Sequence, residues 1–353
     1  MSGFAGDPLL SALFGDAEIA GLTGSDAWAA RMIEVEAGYA AALGRAGRVH
    51  PDLGDEAADA IRAVRPDLSA LALGMARDGV AVPALVRQIK AALPERLHDA
   101  VHTGLTSQDV MDSAFALCLK AALPVFRGRI EAVQQALEAL AAQFGDHPLM
   151  ARTRMQAALP VTVAHRIEAW RRPFEDHLAR LDALELRLLR LQFGGPVGAR
   201  YLDQAEQINA ALAAALGLSP VPSAWHSDRS ALAELGGWLS LVSGSLGKIG
   251  QDIALMAQQG LDEIRLAGGG GSSAMAHKQN PVGAEVLVTL ARANAARLGG
   301  LHQALVHEQE RSGAAWSLEW MLLPQMLEST GRGLSLAFEL LGQVERMGSP
   351  DET

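Results

Sequence analysis

Three short stretches of this chain concentrate side chains that can bind anions or move protons. The first, residues 268–281, reads GGGGSSAMAHKQNP. Four consecutive glycines leave the backbone free to move, which suits a segment that closes over a ligand, although a surface linker would read the same way. Ser272, Ser273, His277 and Lys278 follow, then Asn280 and Pro281. An asparagine before a proline reads as a helix N-cap and first-turn pair. The spacing therefore predicts that the loop delivers its polar groups to a helix N-terminus, where backbone N–H groups and the dipole favour anions. Lys278 adds a full positive charge there.

The second stretch, residues 102–109 (HTGLTSQD), holds an imidazole, the hydroxyls of Thr103, Thr106 and Ser107, and an amide. Taken alone, these groups serve equally well as caps for a following helix. In the third, residues 151–162 (ARTRMQAALPVT), Arg152 and Arg154 flank a threonine ahead of a long helix, as a solvated basic turn also would.

The elements that must position these groups are helical. Leu178, Leu181, Leu184, Leu188 and Leu191 recur at steps of three and four and share one stripe. Similar patterns cover residues 126–144, 229–266, 281–308 and 316–341, with Gly- or Pro-marked breaks at 145–148, 194–198 and 268–271. Residues 1–100 hold shorter helical pieces and read as a small N-terminal helical domain. Residues 101–345 read as a central long-helix bundle, and 346–353 as a polar, frayed tail. No strand pattern survives a count of alternating positions. Aromatics are only 5% of the chain while hydrophobic residues make up 49%, a balance that favours an all-α fold over strands.

Charge and composition exclude several classes of function. The formal net charge is −10 over 353 residues, so no general basic face for nucleic acid is expected. Apolar stretches of about 20 uncharged residues are absent, as is a signal-like N-terminus, and the lone Cys118 cannot form an intrachain disulfide. A cytoplasmic protein without membrane contact is expected. Neither a P-loop pattern nor a dinucleotide-binding fingerprint is present, and no metal or other cofactor is implied. Broad apolar stripes on long helices call for burial by neighbours, including further copies of the chain.

Together the three stretches resemble the signature regions of the fumarase/aspartase superfamily, lyases that share a long-helix bundle and act on carboxylates. Residues 271–281 are similar to its GSSxMPxKxNP loop, with Ala276 in place of the first proline. Residues 106–109 resemble its TSxD element, with His102 where HxGxTSxD members carry a histidine. Gln156, Pro160 and Thr162 fit its RTHxQxAxPxT region. The stretch WHSDRSALAELGGWL, residues 225–239, resembles the lactone-forming cycloisomerase branch, whose substrate is a muconate tricarboxylate. Two departures stand out. The chain stops near Thr353, so the superfamily's C-terminal helical domain reads as reduced or missing. Arg154 also stands where amine- and water-eliminating members carry a histidine.

The second departure has a chemical meaning. An amine or hydroxide needs a proton to leave, whereas a carboxylate, with a reference pKa near 4, leaves as a stable anion and needs positive charge. Arginine supplies that charge and a bidentate fork. The resemblance implies Ser272, Arg154 and Lys278 as catalytic residues, with Ser272 the proton donor. It implies His102, Thr106, Ser107, Gln156, Ser273 and Asn280 as substrate-binding residues, and a homotetramer with shared sites for a small polycarboxylate. Glu285, one turn into the helix after the loop, is a candidate to orient His102 or Lys278. Adenylosuccinate lyase or another superfamily lyase is the alternative reading, and an inactive structural homologue the third.

Overall fold

The computed structural model describes residues 7–268, 270–271 and 279–350. Six helices come first: α1 (Pro8–Phe14), α2 (Ala17–Thr23), α3 (Ser25–Arg45), α4 (Pro51–Ala63), α5 (Leu68–Asp78) and α6 (Val82–Ala92). Six more follow: α7 (Ser107–Phe144), α8 (Val163–Leu188), α9 (Ala205–Leu216), α10 (Ser230–Met256), α11 (Val282–Gln303) and α12 (Ala314–Leu341). The all-α expectation holds. Among the described residues, no helix is long and apolar enough to cross a membrane.

Periodicity explains why the long helices bundle. On α8 the buried residues are Val163, Ile167, Trp170, Phe174, His177, Leu181, Leu184 and Leu188, one stripe at helical spacing. It packs into a core with Phe126, Ile130, Val133 and Leu137 of α7, and with Leu235, Leu239, Val242 and Leu246 of α10. A second core joins α3 to α6, the first turns of α7 and α9. Cys118 sits in it fully buried, and burial pushes its thiol up to about 12.

Several boundaries differ from the sequence expectation: the helix read to Glu308 ends at Gln303, and Leu191, read on one stripe with Leu178–Leu188, lies beyond α8 and packs in the second core. The helix read from Phe126 begins at Ser107, because Pro124 lies inside α7 rather than at its start. A proline there removes one i→i−4 hydrogen bond, which a helix this long tolerates when its face is buried. The helix read to Leu266 ends at Met256, and Ile264–Leu266 forms β3 instead.

β3 pairs antiparallel with β4 (Val344–Met347), joining Ile264 to Met347. Met347, expected in a frayed tail, is therefore fully buried. A second antiparallel pair, β1 (Pro148–Thr153) and β2 (Gln156–Thr162), forms a hairpin that the alternation count missed. Its strands were illegible because β2 is exposed almost throughout and so shows no in–out alternation. Arg154 and Met155 make its two-residue turn with φ of +50° and +66°, the backbone of a type I′ hairpin. Arg152 anchors the hairpin through Nη1 to the buried Glu263 carboxylate at 2.5 Å.

Glycines on α10 set how close α11 comes. A Cβ on Gly250 would lie 2.5 Å from the Ala284 carbonyl oxygen, and one on Gly247 would lie 2.6 Å from the Ala291 Cβ. Gly250→Ala should thus lower stability by about 1–3 kcal/mol through overpacking. Gly128→Ala, on the exposed side of α7 with nothing within 4 Å of the added carbon, should raise it by up to about 1 kcal/mol. Denaturant midpoints of the two variants check this pair of opposite signs.

Candidate active site

Thr106 and Ser107 are placed by Asp109, which faces inward. Its carboxylate is buried and accepts from Thr106 N at 3.0 Å, Gly194 N at 2.9 Å and Gly195 N at 2.8 Å. His226 Nε2 lies 2.9 Å from the same carboxylate, on Oδ1. One carboxylate thus ties the start of α7 to the glycine turn, where Gly195 has φ +68°, and to the segment before α10. His226 is thus part of the buried frame.

One turn on, Asp112 repeats the arrangement. Arg229 grips Asp112 through Nη1 at 2.6 Å and Nη2 at 3.0 Å. It also grips Glu319 of α12 through Nε at 2.8 Å and Nη2 at 2.6 Å. Trp316 Nε1 donates to Asp112 at 3.0 Å. All four side chains are buried. Burial opposes the Asp112 charge, yet Arg229 and the donors around it outweigh that and hold the carboxyl below its usual range. The stretch 225–239 therefore works as scaffold: Trp225 N donates to Gln192 Oε1 at 2.9 Å, and the Arg229 guanidinium stacks 4.9 Å from the Trp225 ring centroid.

On this scaffold His102, Thr106 and Ser107 come together with a residue that sequence reasoning missed. Arg311, in the connection between α11 and α12, donates Nη1 to Thr106 Oγ1 at 2.6 Å and Nε to Gln108 Oε1 at 3.3 Å. Among the described residues it has no carboxylate partner, so a cation stands against the N-terminus of a 38-residue helix with only neutral acceptors. That is an arrangement for an anion. Arg311 also lines a cleft of ≈ 550 Å³ with Asp78, Ser312, Trp316, Ser317 and Trp320. The available signal was the run ERS just before a long amphipathic helix, where Ser312 Oγ accepts from Ala315 N at 3.1 Å.

His102 has its partner on α3. Its Nδ1 lies 2.6 Å from Glu36 Oε1, whereas Glu285 is exposed on α11 and is not the group that orients it.

The remaining expected residues lie elsewhere. Arg154 and Gln156 are exposed at the hairpin tip, with no hydrogen bond to His102, Thr106 or Arg311. Asn280 is not the N-cap: α11 starts at Val282 with Pro281 in the cap position, because the Asn280 backbone pairs with Gly270 instead, N to O at 3.0 Å and O to N at 2.9 Å. Ser272, Ser273 and Lys278 lie outside the described residues, as does most of the loop expected to close over a ligand. Among the described residues no three His, Cys, Asp or Glu side chains gather as a metal site.

The two groups of residues occupy opposite ends of α12. Trp316 lines the cleft with Arg311, while Leu340 lines the hollow that holds Asn280 and Gly270. At 1.5 Å per residue those two positions are about 35 Å apart. The hairpin is at the Asn280 end, since Ser349 N donates to Pro148 O at 2.7 Å and His147 Nδ1 lies 2.8 Å from Met347 O.

Comparison with known proteins agrees with this geometry. The lyase family model matches residues 23–295. The 3-carboxy-cis,cis-muconate cycloisomerase of Acinetobacter baylyi is 31% identical over 349 residues, 96% of this chain and 77% of that one. The enzyme of the same name from Pseudomonas aeruginosa is 38% identical over 323 residues, 89% of this chain and 70% of that one. The solved structure of the 3-carboxy-cis,cis-muconate lactonizing enzyme from Pseudomonas putida is similar with a TM-score of 0.89 at 34% identity, covering 96% of this chain and 77% of that one. With its helical bundle, its three motifs and these likenesses over most of its length, the chain belongs to the lyase family of the fumarase/aspartase superfamily.

Proposed function

We propose that this chain is a cycloisomerase that converts 3-carboxy-cis,cis-muconate to 4-carboxymuconolactone. Arg154 carries the reading. It is exposed in a two-residue turn and has no carboxylate partner among the described residues, so its guanidinium is open to an anion. Position 154 is also where related lyases place a proton donor, which a carboxylate, the nucleophile in lactonisation and the leaving group in the reverse ring opening, does not need. Similarity to enzymes of that name supports the same assignment.

The reaction is intramolecular. One carboxylate oxygen bonds to the neighbouring alkene carbon, and the π pair moves toward the carbon alpha to another carboxylate. That carbon takes a proton, for which Ser272 is the donor, and the serine recovers a proton from solvent. Negative charge builds on the oxygens of the alpha carboxylate before protonation. Lys278, Asn280, Ser273 and the hydroxyls of Thr106 and Ser107 are the groups proposed to hold it, with Gln156 and His102 binding the substrate. Arg311 joins this set as a carboxylate holder.

The site is proposed to form between copies of the chain. With its parts at opposite ends of α12, one chain cannot gather them, but antiparallel neighbours can. Exposed Leu186, Leu241, Met321 and Phe338 on α8, α10 and α12 give the bundle apolar surface for such neighbours. We assign a homotetramer, and the cytoplasm as its compartment.

Three measurements test this reading. Absorbance assays with 3-carboxymuconate and, separately, adenylosuccinate should show turnover of the first only; cleavage of the second alone overturns the assignment. Arg154→Leu should reduce lactonisation on the order of a hundredfold, about 3 kcal/mol of transition-state stabilisation. Arg154→Lys should recover part of the loss and Arg154→His none, and full activity in Arg154→Leu would remove the main ground for the reading. Mixing inactive Ser272→Ala chains with inactive Thr106→Val chains should restore activity, and a fully active monomer by light scattering would exclude shared sites.

A further inference from the structure

Glu36 is a carboxylate removed from water. It stands near the middle of α3, fully buried, with Oε1 2.6 Å from His102 Nδ1 and Oε2 without a hydrogen-bond partner among the described residues. An ionised carboxylate in apolar surroundings is strongly disfavoured unless a cation or donor meets it. His102 is the group in reach.

The backbone around His102 is arranged for that contact. His102 has φ +60°, a left-handed conformation uncommon outside glycine that histidine enters more readily than most residues. Tyr39, one turn after Glu36 on α3, donates its hydroxyl to Thr103 O at 2.6 Å, so α3 holds residues 102 and 103 at two adjacent points. The His102 side chain keeps 21% of its exposure. With Nδ1 turned to Glu36, Nε2 is the ring nitrogen left for another partner, four residues before Thr106 and five before Ser107.

We propose that Glu36 is the positioning residue of this site: it fixes the His102 ring with its proton on Nδ1 and Nε2 outward, and keeps the ring a cation that receives a substrate carboxylate. The inference rests on the reading of the substrate as a polycarboxylate. It adds a cation to Arg311, Lys278 and the Arg154 of a neighbouring copy, for a substrate that carries three carboxylates.

The groups facing His102 agree with a charged ring. Burial works against the cation, but the charge and hydrogen bond of Glu36 on α3, helped by Asp109 on α7 and opposed by Lys90 on α6, outweigh it and hold the imidazole above the ordinary histidine range. Affinity for a carboxylate should therefore persist below that raised value and fall as pH rises through it.

Tricarballylate, an unreactive tricarboxylate, is the probe, and calorimetric binding to the full chain is the measurement. Glu36→Gln should weaken binding about tenfold, the size of effect found when the carboxylate behind a ligating histidine is removed, and should move the loss of affinity to lower pH. Glu36→Asp should recover part of the affinity. His102→Gln should abolish the pH dependence, and adding Glu36→Gln to it should cost nothing more. An unchanged pH profile in Glu36→Gln, or an equal loss with His102 already removed, overturns the proposal. Should wild type bind no tricarballylate, the polycarboxylate reading fails, and the pair is judged by NMR titration of the His102 imidazole, assigned by its absence in His102→Gln. A His102 titration unchanged by Glu36→Gln overturns the proposal there too. If Glu36→Gln fails to fold by circular dichroism, Glu36→Asp takes its place, and a His102 titration identical to wild type decides against it.

Discussion

The carboxylate of Asp109 is the fixed point on which the site depends. It accepts backbone N–H groups from Thr106, Gly194 and Gly195 and meets Nε2 of His226, so segments some 85 and 117 residues away converge on one buried charge. A buried carboxylate without those donors would be expensive, and each donor would be unsatisfied without the carboxylate. The interaction is therefore all or nothing. Asp112, Arg229 and Glu319 extend it by one helical turn and bring in α12, which in turn aims Arg311 at Thr106. Among the described motif residues, Asp109 builds the frame, whereas Arg154 and Gln156 are exposed.

A frame of this rigidity separates as well as positions. The long helices that give the bundle its core hold the His102 and Arg311 cluster at one end and the hairpin and Asn280 at the other. A helix cannot fold back on itself, so under the proposed reading the length that stabilises the core is also what calls for a neighbouring chain to complete the site.

The sequence was legible where information is local. The 3.6-residue period of α8 and α12 announced itself, and the glycine loop, the TSxD element and the arginine-flanked turn stood out by composition. Pro124 displaced the apparent start of α7, since a proline reads as a boundary whether or not the helix absorbs it. The hairpin stayed hidden because exposed strands carry no alternation. Glu36 and Arg311 stayed hidden for a different reason: their meaning lies in partners 66 and 205 residues away, and a glutamate inside an amphipathic helix looks like any other. Asn280 was misplaced by one position because a backbone pairing with Gly270 competes with capping.

The hairpin turn has an evolutionary consequence. Both of its residues sit in the left-handed region, which histidine, asparagine and aspartate enter more readily than most side chains, and the tip touches no core. Arginine and histidine codons differ by one nucleotide. If Arg154 has the role proposed for it, a lineage could exchange one for the other at position 154, moving between carboxylate and amine or hydroxide leaving groups, while every helix, cap and buried ion pair beneath stayed as it was. Reaction chemistry in such a protein can drift faster than its architecture, because the residue proposed to select the leaving group sits at an exposed hairpin tip.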